Sequence, residues 1–103
     1  MADLMKIRAL FKGGLTEVKV LMLHPMETGR RKNDLEETVP AHFIQLVTAT
    51  LNGTTVLQAQ WGTGVSKNPY LTFYLNDAKV GDVVGVAWQD NKGATNAIEG
   101  VVS

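Results

Sequence analysis

Few residues in this chain could do chemistry. Histidine occurs at His24 and His42, serine at Ser66 and Ser103, and cysteine nowhere. Without cysteine there are no disulfides, thiol nucleophiles, iron–sulfur clusters or thiolate-bound zinc. The two imidazoles could ligate a metal together with Glu27, Asp34 or Glu36, but no HxH, HExxH or EF-hand spacing accompanies them. A histidine ending an apolar strand face, as His24 does, more commonly bonds backbone. Ser66 with His24 or His42 as base would make a nucleophile, yet Gly64-Val65-Ser66 is no nucleophile elbow and reads as loop. Gly62-Thr63-Gly64 could cradle a phosphate, but Pro69 stands against a helix beginning there to present its dipole. Arg30-Arg31-Lys32 could hold an anion. The acids at Asp34, Glu36 and Glu37 nearly neutralise it, which leaves a solvated face or a docking patch. Asn52-Gly53-Thr54 matches a glycosylation acceptor, and a hairpin turn explains it equally well.

The elements that must position these groups read as strands and turns. Ile7, Ala9 and Phe11 alternate with Arg8 and Lys12, the period of a half-buried strand, and Gly13-Gly14 supplies a turn. From Thr16 to His24 one face carries Val18, Val20, Met22 and His24, and the other becomes apolar at Leu21 and Leu23. Alternation stops between Pro25 and Pro40, where a long polar connection leaves room for at most a very short helix over Asp34–Glu37. It returns with Phe43, Gln45, Val47, Ala49 and Leu51 on one face, turns at Asn52-Gly53, and comes back through Leu57, Ala59 and Trp61. A second irregular stretch, residues 62–69, precedes a strand with Leu71, Phe73 and Leu75 inward. Val84, Val86 and Trp88 mark the next strand, and Asp90-Asn91-Lys92-Gly93 turns into the last, around Asn96 to Val102. The pattern predicts an all-β, immunoglobulin-like (fibronectin-like) antiparallel β-sandwich of about seven strands, with a small open barrel as the alternative. Trp61 and Trp88 are expected in its core.

At 103 residues the chain forms a single domain. Ten basic and ten acidic residues cancel, which argues against a nucleic-acid or electrostatic membrane binder, and a hydrophobic fraction of 45% argues against disorder. Met1-Ala2-Asp3-Leu4-Met5-Lys6 reads as no signal peptide, and Val20-Leu21-Met22-Leu23 is the longest apolar run. A sandwich with two unusual loops and no assembled active site is expected to bind a partner rather than turn over a substrate.

The ordered set His24-Pro25-Met26-Glu27-Thr28-Gly29-Arg30-Arg31-Lys32, Val39-Pro40, Asn52-Gly53, Val65-Ser66-Lys67-Asn68-Pro69-Tyr70 and Trp88-x-Asp90-Asn91-x-Gly93 resembles the SoxZ family over nearly the whole chain. The resemblance implies an immunoglobulin-like or fibronectin-like domain, 1–103, that is not an enzyme and carries no cofactor or metal. It implies pairing with SoxY, as a heterodimer or a dimer of heterodimers. SoxY bears sulfur intermediates of thiosulfate oxidation on the cysteine of a flexible C-terminal arm, which other Sox enzymes visit. It also implies a periplasmic location reached by co-export with SoxY, and self-association of the isolated subunit is an expectation. On this reading the interface candidates are Met22, His24, Met26, Glu27, Arg30, Val65, Ser66, Asn68, Tyr70 and Trp88. A stand-alone immunoglobulin-like binding or adhesion domain is the alternative.

Overall fold

The computed structural model describes residues 5–103, so the leader reading of the N-terminus falls mostly outside it. Among the described residues seven strands follow one another without a helix: β1 Met5–Lys12, β2 Leu15–Met22, β3 Ile44–Leu51, β4 Thr54–Gln60, β5 Tyr70–Leu75, β6 Val83–Asp90 and β7 Thr95–Val101. They form two antiparallel sheets, β1-β2-β5 and β4-β3-β6-β7. Because β4 pairs with β3 and not with β5, this is the fibronectin-like form of the sandwich; a constant-type immunoglobulin domain carries its fourth strand beside the fifth.

Alternation explains which side of each strand is buried. Val18, Val20 and Met22 of β2 face Ile44, Val47 and Ala49 of β3 and Val84, Val86 and Trp88 of β6 across the core. Each aliphatic side chain buried there contributes roughly 1.5–3 kcal/mol. Thr16 is fully buried among them, and its hydroxyl donates to the carbonyl of Ala78 at 3.1 Å. Gly100 of β7 lets the sheets close, since a Cβ there would stand 3.0 Å from Ile7 Cγ2.

The last residues return to the first strand. The Phe11 N–H donates to the Ser103 carbonyl at 2.9 Å, and the Ser103 N–H to the Ala9 carbonyl at 3.1 Å. Val102, 1% exposed, is held in turn to Gly81 and Asp82.

The segment between β2 and β3 is an irregular hairpin rather than a loose loop. Glu27 and His42 form one bridge, and Lys32 and Thr38 another. Residues 34–37, where the sequence left room for at most a very short helix, form a turn: the Asn33 side chain accepts the Leu35 and Glu37 N–H groups at 2.9 and 3.1 Å. Such local side-chain bonding competes with helix formation.

One strand departs from simple alternation. Gln45 is the extra residue of a bulge, since Ile44 pairs with Asp90 and Leu46 with Gln89. Ile44 is therefore fully buried and Gln45 exposed, the reverse of the expected facing. Before the bulge, His42 shares the inward side with Ile44, and bulges characteristically re-aim a side chain in this way.

Candidate functional site

At the end of the sandwich where β2 finishes and β3 begins, three irregular segments meet on one buried carboxylate. Asp90 is the last residue of β6, in phase with the inward Val84, Val86 and Trp88, and is 2% exposed. Its Oδ2 accepts Nε2 of His24 at 3.1 Å and Nε2 of His42 at 2.7 Å. Its Oδ1 accepts the backbone N–H groups of Lys92 and Ala94 at 3.0 and 2.9 Å. Burial pushes this carboxyl up. The hydrogen bonds from His24 and His42, then those from the Ala94 and Lys92 backbone, outweigh that and hold it at about 2.

His24 links the carboxylate to the other segments. Its Nδ1 accepts the Met26 N–H at 3.1 Å, which fixes the ring proton on Nε2, facing Asp90. Its backbone N–H donates to Asn68 Oδ1 at 3.0 Å, and its carbonyl accepts the Asn68 N–H at 2.9 Å. Asn68 makes this reciprocal pair from a left-handed conformation, φ 52°, which asparagine tolerates. Met26 also sits at φ 48°, a strained position for such a side chain. Burial to 5% exposure and an Ile44 N–H directed at its Sδ, 3.3 Å away, hold it there. The His24 ring meets Trp88 and His42 edge-on, with centroids 5.1 and 4.5 Å apart. Asn91 completes the network by accepting the Phe43 N–H and donating to the Ala41 carbonyl. The Trp88 Nε1–H is buried with no acceptor among the described residues.

Three of these atoms, His24 Nε2, His42 Nε2 and Asp90 Oδ2, lie within 4.8 Å of one another, as a metal site would require. The hydrogen bond at the far side of His24 opposes that use. A metal on Nε2 would move the ring proton to Nδ1, where it would meet the Met26 N–H donor to donor. Metal-bound histidines instead donate their second nitrogen to an acceptor. The cluster suits a structural knot: two imidazoles and two backbone amides hydrogen-bonded to one buried anion.

This geometry sorts the ten residues expected at an interface. Met22, His24, Met26 and Trp88, between 0 and 5% exposed, are filled into the chain's own core and knot, so they have no surface to offer a partner. Asn68 spends its side-chain oxygen on His24. Glu27 is half-buried. Arg31 grips it through Nε and Nη2 at 2.8–3.1 Å and holds its carboxyl below the usual carboxylate range. Arg30 and Ser66 are exposed, Val65 packs partly against the core, and Tyr70 is 61% exposed at the start of β5. No hydrogen bond joins Ser66 to either histidine among the described residues, and Glu36 and Asp34 stand apart from the cluster. Trp61, expected in the core, is half-buried and lines a shallow groove of about 420 Å³ with Phe43, Gln45, Leu46, Gln60 and Gln89.

Asp90, a turn and motif residue in the sequence, is the site residue that sequence reasoning misses. The signal was present: it falls in phase with three inward apolar positions, and a carboxylate there must find donors.

The whole of this framework, from the first strand to the penultimate residue of the last, is matched by the profile of the sulphur oxidation protein SoxZ, over residues 5–100. The chain belongs to the SoxZ family. A search of curated proteins returned no match. SoxZ membership places the chain in sulfur oxidation, and the all-β sandwich agrees with the fold expected of that family. Within this SoxZ domain the histidine–aspartate knot joins the motif segments around 24–32, 65–70 and 88–93.

Proposed function

We propose that this SoxZ domain is a non-catalytic scaffold that pairs with SoxY, whose arm cysteine carries sulfur intermediates during thiosulfate oxidation. The family match over residues 5–100, on a chain with no cysteine to carry sulfur itself, supports this reading most directly. The knot supplies the physical means. A mobile carrier arm needs a fixed base, and loops already ordered by internal hydrogen bonds lose little further entropy when another protein docks. Here His24, His42 and the turn at 90–94 are tied to one anion, and Asn68 is tied to His24, so the three loops are cross-linked to one another. Visiting enzymes would then meet one surface rather than several independent loops. The compartment consistent with this role is the periplasm, reached together with SoxY.

The test is co-expression with SoxY of the same host, followed by light scattering and intact-mass analysis after thiosulfate oxidation. A mixed complex with sulfur mass added only to SoxY is the expected result. If folded SoxY and folded SoxZ domain elute separately at micromolar concentration, the scaffold reading is wrong.

A further inference from the structure

The two sheets present very different outer faces. On β1-β2-β5 the outward positions include Lys6, Arg8, Glu17 and Lys19, with Arg8 directly opposite Lys19. On β4-β3-β6-β7 the one ionisable side chain facing outward is Glu99; Asp90, the other in these strands, is buried in the knot. Cross-strand register lines up Thr50, Gly85 and Glu99 in one row and Thr48, Ala87 and Ala97 in the next. These small residues leave a trough of about 200 Å³, floored by Gly85 with the Thr50 hydroxyl laid against it. Toward the knot the same face runs, through Leu46 and Gln89, into the groove that Trp61 lines. At the other end it reaches Val101, 63% exposed and paired with Val83.

A sheet face depleted of charge is the composition of an interface core. Its shape says what would fill it. Stacked on a second copy, trough would meet trough, leaving voids between small residues, and each copy would bring another Glu99 without a cation. We infer that this face seats a different folded protein, one that presents bulky apolar side chains to the trough and a cation to Glu99. The inference rests on the pairing with SoxY and locates it.

Ala97→Lys and Glu99→Lys test it, with Thr72→Glu on the opposite sheet's outer face as control. Ala97, Glu99 and Thr72 are all exposed, so the substituted chains should fold, and a thermal melt verifies each. Binding of SoxY is then measured by calorimetry. Placing a charged lysine in the trough should weaken binding about tenfold or more, and Glu99→Lys similarly, because a charge without a partner is desolvated at the contact; Thr72→Glu should bind like the original chain. If both lysine variants bind SoxY undiminished, the face is wrongly assigned while the pairing stands. If the unsubstituted chain does not bind SoxY, the pairing falls and the assignment with it. If the chain dimerises by itself and Ala97→Lys abolishes the dimer, the face belongs to a second copy and the inference is overturned.

Discussion

Replacing Asp90 with asparagine puts the knot to a quantitative test. Four N–H groups converge on this carboxylate, two on each oxygen. An amide of the same shape keeps one acceptor and turns an NH₂ toward the other pair. His42, part-exposed, can move its proton to Nδ1 and accept from that NH₂. His24 cannot without losing the Met26 N–H. At least one buried donor is therefore orphaned, at about 1–3 kcal/mol, and the surviving bonds lose their charge assistance. Linkage gives an independent figure: a carboxyl held at about 2 against 3.8 in the unfolded chain stabilises the fold by roughly 2–3 kcal/mol. The expected loss for Asp90→Asn at pH 7 is about 2–4 kcal/mol, or on the order of 10–20 °C in Tm for a domain of this size. Because the native pKa is depressed, this stabilisation is complete above the unfolded pKa and disappears as pH falls through the native one. The gap between the two proteins should thus close between about pH 4 and pH 2. Urea titration across that range, with equal m-values, measures it. A difference below about 1 kcal/mol at pH 7, or a gap that persists unchanged at pH 2, would refute the reasoning.

Three further outcomes follow from the same geometry. Zinc added to the purified chain should leave its Tm unchanged, because binding at His24 would set two donors against each other; a zinc-dependent rise that Asp90→Asn removes would show a metal site. Gly100→Val should destabilise by about 1–3 kcal/mol through overpacking against Ile7; an unchanged denaturation midpoint would mean that the sheets have slack there. Trp88→Phe should cost about 1–2 kcal/mol, well short of the ~3–5 kcal/mol of Trp88→Ala, since it discards a donor that has no acceptor. Equal losses for the two variants, again by denaturant titration, would mean that Nε1 is bonded in solution.

Strands and turns were legible because each is a local pattern. Val18, Val20 and Met22, or Leu71, Phe73 and Leu75, announce a buried face within six residues, and Asn52-Gly53 announces its hairpin. Two features were hidden for opposite reasons. The bulge at Gln45 has no composition of its own, and it inverts the facing of every residue before it, His42 included. The knot is hidden by distance: His24 and His42 lie 66 and 48 residues from Asp90, and only the closed sandwich brings them together. The ten interface candidates, read without burial, therefore mix two kinds of residue, those that hold the loops from beneath and those that face outward. Burial separates them: within the motif from His24 to Lys32, His24 and Met26 are of the first kind, while Arg30, Arg31 and Lys32 face outward.

The clasp between β1 and Ser103 also sets an order in time. β1 leaves a ribosome well before its outer edge can be completed, because Ser103, which completes it, lies 94 residues after Ala9. Until then Ala9 and Phe11 keep unpaired backbone groups, and the flank of the core that Val102 covers stays open to water. Contacts spanning so much of a chain form slowly, and a strand edge left waiting can pair with the wrong neighbour. A chain without Val102 and Ser103 would consequently be left as a nearly whole sandwich with its first strand still adhesive.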